Sequence, residues 1–367
     1  MEDRWVLQFC HCHYGPFLDV ARQYAVLFNG TPYKVLTVYL TGEDTPEARS
    51  GSASDEVMFL NFRSKDVGGL KLAAIRALKQ ILASREFALI IAHRFKPIYI
   101  ACLASKTLPV IGVHHAFGDY IRYGRRAFAR LFQQRLWLLA VSNAVRDDIR
   151  ACLPNWPTEK IQTLYNRINP AELRAEQLPR EAARAALKLP KNAYIIGNVG
   201  RLHPDKDQAT LIRGFALARQ GLPEESLLAI LGTGELEAEL KALATMQGVD
   251  SQVRFLGQIP EARRYFRAFD VFALPSDHEP FGMVLLEAMA ADVPILTTDC
   301  GGAPEVLGDP DRLFPLRDAD ALATRMIASL AVPAAGSDGQ TRLREHFSDE
   351  AARRRFFALT MTKAVQS

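Results

Sequence analysis

Two glutamates eight residues apart, Glu279 and Glu287, stand in the segment Pro275-Ser276-Asp277-His278-Glu279-Pro280-Phe281-Gly282-Met283-Val284-Leu285-Leu286-Glu287. The pattern places Glu279 in a loop and Glu287 inside the helix that follows. Eight residues are about 2.2 helical turns, so the two carboxylates could address one ligand from neighbouring levels. Phe281, Gly282 and Met283 open the helix and offer free amides suited to hydroxyls or a phosphate. Glu287 interrupts an apolar face and is costly to bury unless something such as a ribose diol satisfies it. A structural buried glutamate is the alternative. Upstream, Gly200-Arg201-Leu202-His203-Pro204-Asp205-Lys206-Asp207 follows a strand and precedes a helix. Arg201 brings a planar fork of donors and Lys206 a mobile point charge, a pair able to clamp a diphosphate. Two solvated surface cations are the bland reading. Gly232-Thr233-Gly234 and Gly301-Gly302-Ala303-Pro304-Glu305 add two glycine turns, each behind a strand, where backbone could approach a ligand.

These residues need a frame of strands and helices. At about 150 residues per domain, 367 residues suggest two domains. Strand-like runs at residues 5–10, 33–40, 87–92, 108–113 and 137–141 alternate with helical stretches at 18–28, 70–84 and 144–152, and residues 42–54 read as a loop. Ser142-Asn143 could cap the helix that follows them. Residues 155–179, directly after Pro154, hold three more prolines and one short strand, 161–165, and mark the boundary. Alternation restarts with strands at 194–199, 226–231, 253–256, 271–274 and 294–297 and helices at 209–220, 235–247 and 281–291. A last helix covers 348–364. Such alternation argues for parallel β/α units with ligands at the strands' C-terminal ends.

The words G-R-L-x-P-x-K-D, L-G-x-G-E-L, V-x-F-L-G, P-S-x-x-E-P-F-G-x-x-x-L-E-A-M-A and G-G-x-P-E, in that order, resemble the family 4 retaining glycosyltransferases. The likeness is dense over residues 195–305. Looser matches lie at Val141-Ser142-Asn143-Ala144, Tyr165-Asn166-Arg167-Ile168 and Phe347-Ser348. The resemblance implies an α/β GT-B fold, two Rossmann-like β/α/β domains facing each other across a cleft. Residues 1–165 would bind acceptor, with the C-terminal helix of about 348–367 crossing back, and residues 170–345 would bind the donor. It implies that Glu279 contacts the donor sugar and Glu287 the ribose, that Arg201 and Lys206 hold the diphosphate, and that the Phe281 and Gly282 amides, beside Met283, hold donor oxygens. It implies a histidine at the end of the strand at 108–113, with His115 favoured over His114. Where the family often carries Gly-Gly after its first strand, this chain has Gly15 alone before Pro16. His13 and Arg122, with His114, are the candidates for acceptor contact. The co-substrate would be a nucleotide diphosphate sugar, UDP favoured over GDP, with no further cofactor.

The acceptor is read from charge. Residues 1–165 carry 21 basic and 14 acidic side chains, and the remainder 24 and 27. Residues 122–135 hold five arginines and no acid among Tyr123, Phe128, Leu131 and Phe132. This reads either as an ordinary amphipathic helix packed on the core or as a face for an anionic membrane or acceptor. An anionic lipid-linked acceptor at the inner membrane face, in lipopolysaccharide core or other surface-glycan synthesis, is the first choice. A small soluble acceptor such as a sugar phosphate, or a non-catalytic sugar-nucleotide-binding subunit, is the alternative. No signal peptide or spanning segment is read. The irregular Cys10, Cys12, Cys102, Cys152 and Cys300 fit a reducing, cytoplasmic setting. The cluster Cys10-His11-Cys12-His13 lacks a second ligand pair at metal spacing. Asp-x-Asp sequences at Asp205, Asp309 and Asp318 read as surface turns, so no metal is expected. The near-neutral total and absent module words do not support a nucleic-acid binder.

Overall fold

The computed structural model describes residues 4–63, 65–331 and 337–359. Two compact units divide the chain. The first comprises residues 1–167 with 349–367, and the second residues 168–348.

The first unit is built on seven parallel strands: β1 (Arg4–Cys10), β2 (Tyr33–Tyr39), β3 (Glu56–Phe59), β4 (Phe87–His93), β5 (Val110–His114), β6 (Leu136–Ala140) and β7 (Ile161–Thr163). Their order is β3-β2-β1-β4-β5-β6-β7. The central strands are apolar on both faces, as helix-covered parallel strands must be. After β3 the chain returns to pair β4 with β1, so the direction of winding reverses there. Loops after β1 and β4 diverge at that reversal and leave a crevice. The helix Asp349–Ala358 packs within this unit. Its Phe356 is fully buried and meets the Phe28 ring edge-on at 5.6 Å. The expected last helix ran to residue 364, and residues 360–367 lie outside the described ones.

The second unit repeats the plan with six parallel strands: β8 (Tyr194–Val199), β9 (Ser226–Leu231), β10 (Val253–Gly257), β11 (Val271–Leu274), β12 (Ile295–Thr298) and β13 (Leu313–Phe314). Their order is β10-β9-β8-β11-β12-β13, with the reversal between β8 and β11.

Two expectations need correction. Residues 42–54 are not all loop. Thr45 accepts from the Ala48 amide and Pro46 sits at the first helical position, which starts a short helix, Pro46–Gly51. The basic helix expected over 122–135 spans only Tyr123–Leu131, because the chain turns at Phe132 and the amides of Arg135 and Leu136 bond back to its carbonyl.

Candidate active site

The reversal between β8 and β11 gathers the charged words of the second unit. Gly200 and Arg201 leave the end of β8, and a single 3-10 turn, Pro204–Lys206, carries Lys206 back to the crevice. Glu279 follows β11. Lys206 Nζ donates to Glu279 Oε2 at 2.8 Å, and both side chains are largely buried. A pair this enclosed is expensive to break by removing one partner, because the other charge is stranded. The two loops also share backbone: the Asp277 amide donates to the Asp205 carbonyl at 3.1 Å. The turn Gly301-Gly302 steadies the Glu279 backbone, with the Gly302 amide donating to the Glu279 carbonyl at 2.8 Å. Arg201 is 70% exposed and lies 3.5 Å from Asp205. Its fork is free to move toward a ligand.

Gly232-Thr233-Gly234 serves a different purpose from the one its composition suggested. A Cβ on Gly232 would run into the Gly200 carbonyl, and one on Gly234 into the Leu202 carbonyl. The Leu202 amide donates to the Thr233 carbonyl at 3.0 Å. These glycines let two backbones meet, and so fix the shape of the loop that carries Arg201.

Glu279 lies in the loop before the helix and Glu287 within it, as the sequence places them, but the count of helical turns between the two does not apply. The helix is Met283–Ala290, and Gly282 before it sits at φ +96°, where a Cβ would meet Leu285 Cδ1 at 2.8 Å. Glu279 is therefore outside the helical repeat. Glu287 is half-buried rather than enclosed. The Phe281 ring points into the core against Phe347, at 5.9 Å between ring centres. Only its backbone is left to face a ligand. Met283 opens the helix and is half-buried.

Two further groups at this crevice were given no role from the sequence. Arg317, from the loop after β13, donates to Asp277 Oδ2 at 2.7 Å. Ser276 Oγ is buried at the end of β11 without a hydrogen-bond partner among the described residues. Ser276 sits inside the recognised word, whereas nothing in the sequence pointed to Arg317, which lies 38 residues from Glu279.

The reversal in the first unit gathers imidazoles instead. His115 follows β5 and is half-buried. Its Nε2 lies 3.3 Å from His93 Nδ1, with the rings stacked at 5.5 Å. Burial, then His114 and Arg94, pushes the His115 pKa down to about 3, and burial also holds His93 well below the ordinary value. His11 is lowered to about 4 by burial, then by Lys96 and Arg94. All three are neutral near pH 7. His114 does not fit the expected acceptor contact. It is fully buried, its Nδ1 lies 2.7 Å from Asp119 Oδ2, and its Nε2 lies 3.3 Å from the Tyr120 hydroxyl. Both ring nitrogens are taken.

His13 is half-buried, with Nε2 2.9 Å from the Glu43 carbonyl and its ring edge-on to Tyr39 and Phe59. Gly15 lies on an exposed turn at φ +57°. Arg122 is exposed at the start of the helix Tyr123–Leu131. Strand β1 ends at Cys10, so the alternation read across Cys10-His11-Cys12-His13 does not continue. Among the described residues, no three His, Cys, Asp or Glu gather at metal-holding distance. Asp207, Asp309 and Asp318 each cap a helical turn through their side chains.

Comparison with known families follows this division. Residues 32–172 match the profile of Glycosyltransferase Family 4, and residues 179–354 match Glycosyl transferases group 1. An uncharacterized glycosyltransferase of Methanocaldococcus jannaschii is 31% identical over 174 residues, 46% of this chain and 44% of that protein. A D-inositol 3-phosphate glycosyltransferase of Corynebacterium efficiens is 31% identical over 177 residues, 45% and 39%. The lipopolysaccharide core biosynthesis glycosyltransferase LpsE of Rhizobium meliloti is 37% identical over 142 residues, 38% and 40%. The matched part thus spans less than half the length of these relatives. Among solved structures, a Rickettsia africae glycosyltransferase superposes with TM-score 0.85 at 14% identity, covering all of both chains. Anabaena HepE, solved with UDP and glucose, superposes with TM-score 0.77 at 19% identity, covering 98% of this chain and 99% of that one. These likenesses show the GT-B fold, with two Rossmann-like domains.

Proposed function

The chain belongs to the family 4 glycosyltransferases, and from that premise we propose that it moves a hexose-type sugar, with retention, from a nucleotide diphosphate sugar to a hydroxyl acceptor. The observation that carries this reading is the buried Lys206–Glu279 pair at the reversal between β8 and β11. It sets a cation for phosphate beside an acceptor of sugar hydroxyls. Arg201 would swing in to complete the diphosphate clamp. Glu287 would take the ribose, and the amides at Phe281 and Gly282 the remaining donor oxygens. UDP is the favoured base, supported by HepE having been solved with UDP.

In the reaction, the bond from the sugar's anomeric carbon to the diphosphate oxygen breaks. The acceptor oxygen bonds to the same face of that carbon, and its proton passes to the departing diphosphate. Negative charge grows on that diphosphate; Lys206, already held in the crevice, would offset it without rearranging, and Arg201 would add to it once swung in. Neutral His115 would hold the acceptor or sugar hydroxyl by hydrogen bonding rather than by charge. Gly15 and His13 would contribute from the loop after β1. No divalent metal is assigned a role.

An anionic, lipid-linked acceptor in lipopolysaccharide core or other surface-glycan synthesis fits the basic first unit and the likeness to LpsE. Action would then take place at the cytoplasmic face of a membrane. Among the described residues, no helix is long and apolar enough to cross one. The likeness to D-inositol 3-phosphate glycosyltransferases favours, as a second reading, a small phosphorylated acceptor. Turnover with a UDP-, GDP- and ADP-sugar panel, followed by the anomeric configuration of the product, tests the reaction. Transfer rates near wild type in both Lys206→Ala and Glu279→Gln would defeat the assignment.

A further inference from the structure

Three helices of the first unit begin around one hollow of about 560 Å³. They are Leu72–Leu82, Phe95–Ala104 and Tyr123–Leu131. Helix starts favour Ser, Asp or Asn at the cap and acids in the first turn, because the free amides carry partial positive charge. All three starts break this rule. Their caps are Lys71, Arg94 and Arg122, none makes a side-chain capping bond, and no first turn holds an acid. Lys71, Lys96, Arg122 and Arg125 line the hollow, and no acidic residue does.

Arg125 is partly neutralised by Asp119 at 3.0 Å. Lys71, Lys96 and Arg122 form no ion pair among the described residues. Lys71 Nζ donates only to the Gly69 carbonyl and rests 4.9 Å from the Tyr99 ring centre. Burial, then Lys96, pushes the Lys71 pKa down. Like charges converge here on three positive helix ends, and a bound anion would relieve all of them.

The rim identifies the source of the anion. Lys71 stands between Leu70 and Leu72, exposed by 68% and 54%, and Arg122 between Ile121 and Tyr123, exposed by 67% and 73%. The same apolar–cation–apolar triplet thus occurs at two of the three helix starts. A soluble phosphate would use the cations and leave these large apolar side chains in water. A bilayer uses both, with cations at the depth of the phosphates and apolar tips below them.

We propose that this hollow holds the phosphate of an anionic lipid, with Lys71, Lys96 and Arg122 supplying the charge and Leu70, Leu72, Ile121 and Tyr123 seated among the acyl chains. The proposal rests on the lipid-linked acceptor reading and gives that acceptor its docking face. Vesicle binding is scored without donor or turnover, so binding and transfer can fail separately.

The test is sedimentation of the full chain with phosphatidylcholine vesicles, with and without phosphatidic acid, each variant first checked for an unchanged unfolding midpoint. Wild type is expected to pellet only with phosphatidic acid. Lys96→Ala/Arg122→Ala is expected to weaken binding about tenfold or more. Leu70→Ser/Ile121→Ser, which alters no charge, is expected to weaken it comparably. Lys188→Ala/Lys191→Ala, on the second unit, is expected to bind as wild type. Any of four results overturns the proposal: no binding by wild type, equal binding to neutral vesicles, equal loss in the second-unit pair, or no loss in the apolar pair. The last would leave a soluble phosphate site in its place.

Discussion

The two units share one plan and place their chemistry at the same topological feature, yet they fill it differently. At the β8/β11 reversal of the second unit the charges are already paired: Lys206 with Glu279, Arg317 with Asp277, Arg201 near Asp205. At the β1/β4 reversal of the first unit the titratable groups include imidazoles held neutral, and the neighbouring helix starts carry cations that form no ion pair among the described residues. A paired, enclosed site is preorganised for a ligand of fixed charge such as a diphosphate. A site of neutral imidazoles with a basic flank is arranged to orient a hydroxyl while attracting an anion from outside.

The largest expected effect breaks the pair. Lys206→Ala is expected to lower turnover by about 10²–10³-fold, the usual cost of removing one preorganised charge from a transition state. Released UDP measures it. The same change strands Glu279 and is expected to cost about 3–5 kcal/mol of stability. Glu279→Gln, which keeps shape and removes charge, separates the two effects. Next, His115→Ala is expected to lower transfer by about 10²-fold while nucleotide affinity stays near wild type. Equal loss of both would erase the distinction between the units.

Smaller effects concern scaffolding. Gly232→Ala drives a methyl into the Gly200 carbonyl. A loss of about 2 kcal/mol is expected in denaturant unfolding, together with weaker nucleotide binding. A further effect, graded with pH, is acid sensitivity. His11, His93 and His115 stay neutral in the folded chain well below the ordinary histidine value. Below about pH 6.5 the unfolded chain takes protons that the folded one refuses. Stability is therefore full above that pH and falls below it, by up to about 1.4 kcal/mol per pH unit for the buried His93 and by less for the partly buried His11 and His115. Unfolding midpoints at pH 7.5, 6 and 5 read it, and His93→Phe is expected to flatten the slope.

The residues proposed for the donor were legible because they lie in contiguous words. Arg201 and Lys206 share one loop, and Glu279, Gly282 and Glu287 share one segment. What escaped depends on contacts between distant positions. Arg317 reaches Asp277 across forty residues. The glycines at 232 and 234 pack on a loop thirty residues earlier. On the proposed acceptor side, counting alone favoured His115 over His114. That Asp119 and Tyr120 occupy His114 could not be read that way, since both partners come from the turn after it. Eleven strands were found by their apolar runs, whereas the short edge strands β3 (Glu56–Phe59) and β13 (Leu313–Phe314) were missed. The helix Pro46–Gly51 was missed because a polar stretch hides its Thr45 cap.

The most direct measurement is calorimetric titration of UDP into wild type, Lys206→Ala and Glu279→Gln in metal-free buffer. Wild type is expected to bind, Lys206→Ala to bind at least about tenfold more weakly through its lost phosphate contact, and Glu279→Gln to bind UDP near wild type while losing discrimination for UDP-sugar. Undiminished UDP binding by Lys206→Ala would contradict the placement of the donor diphosphate at the β8/β11 crevice.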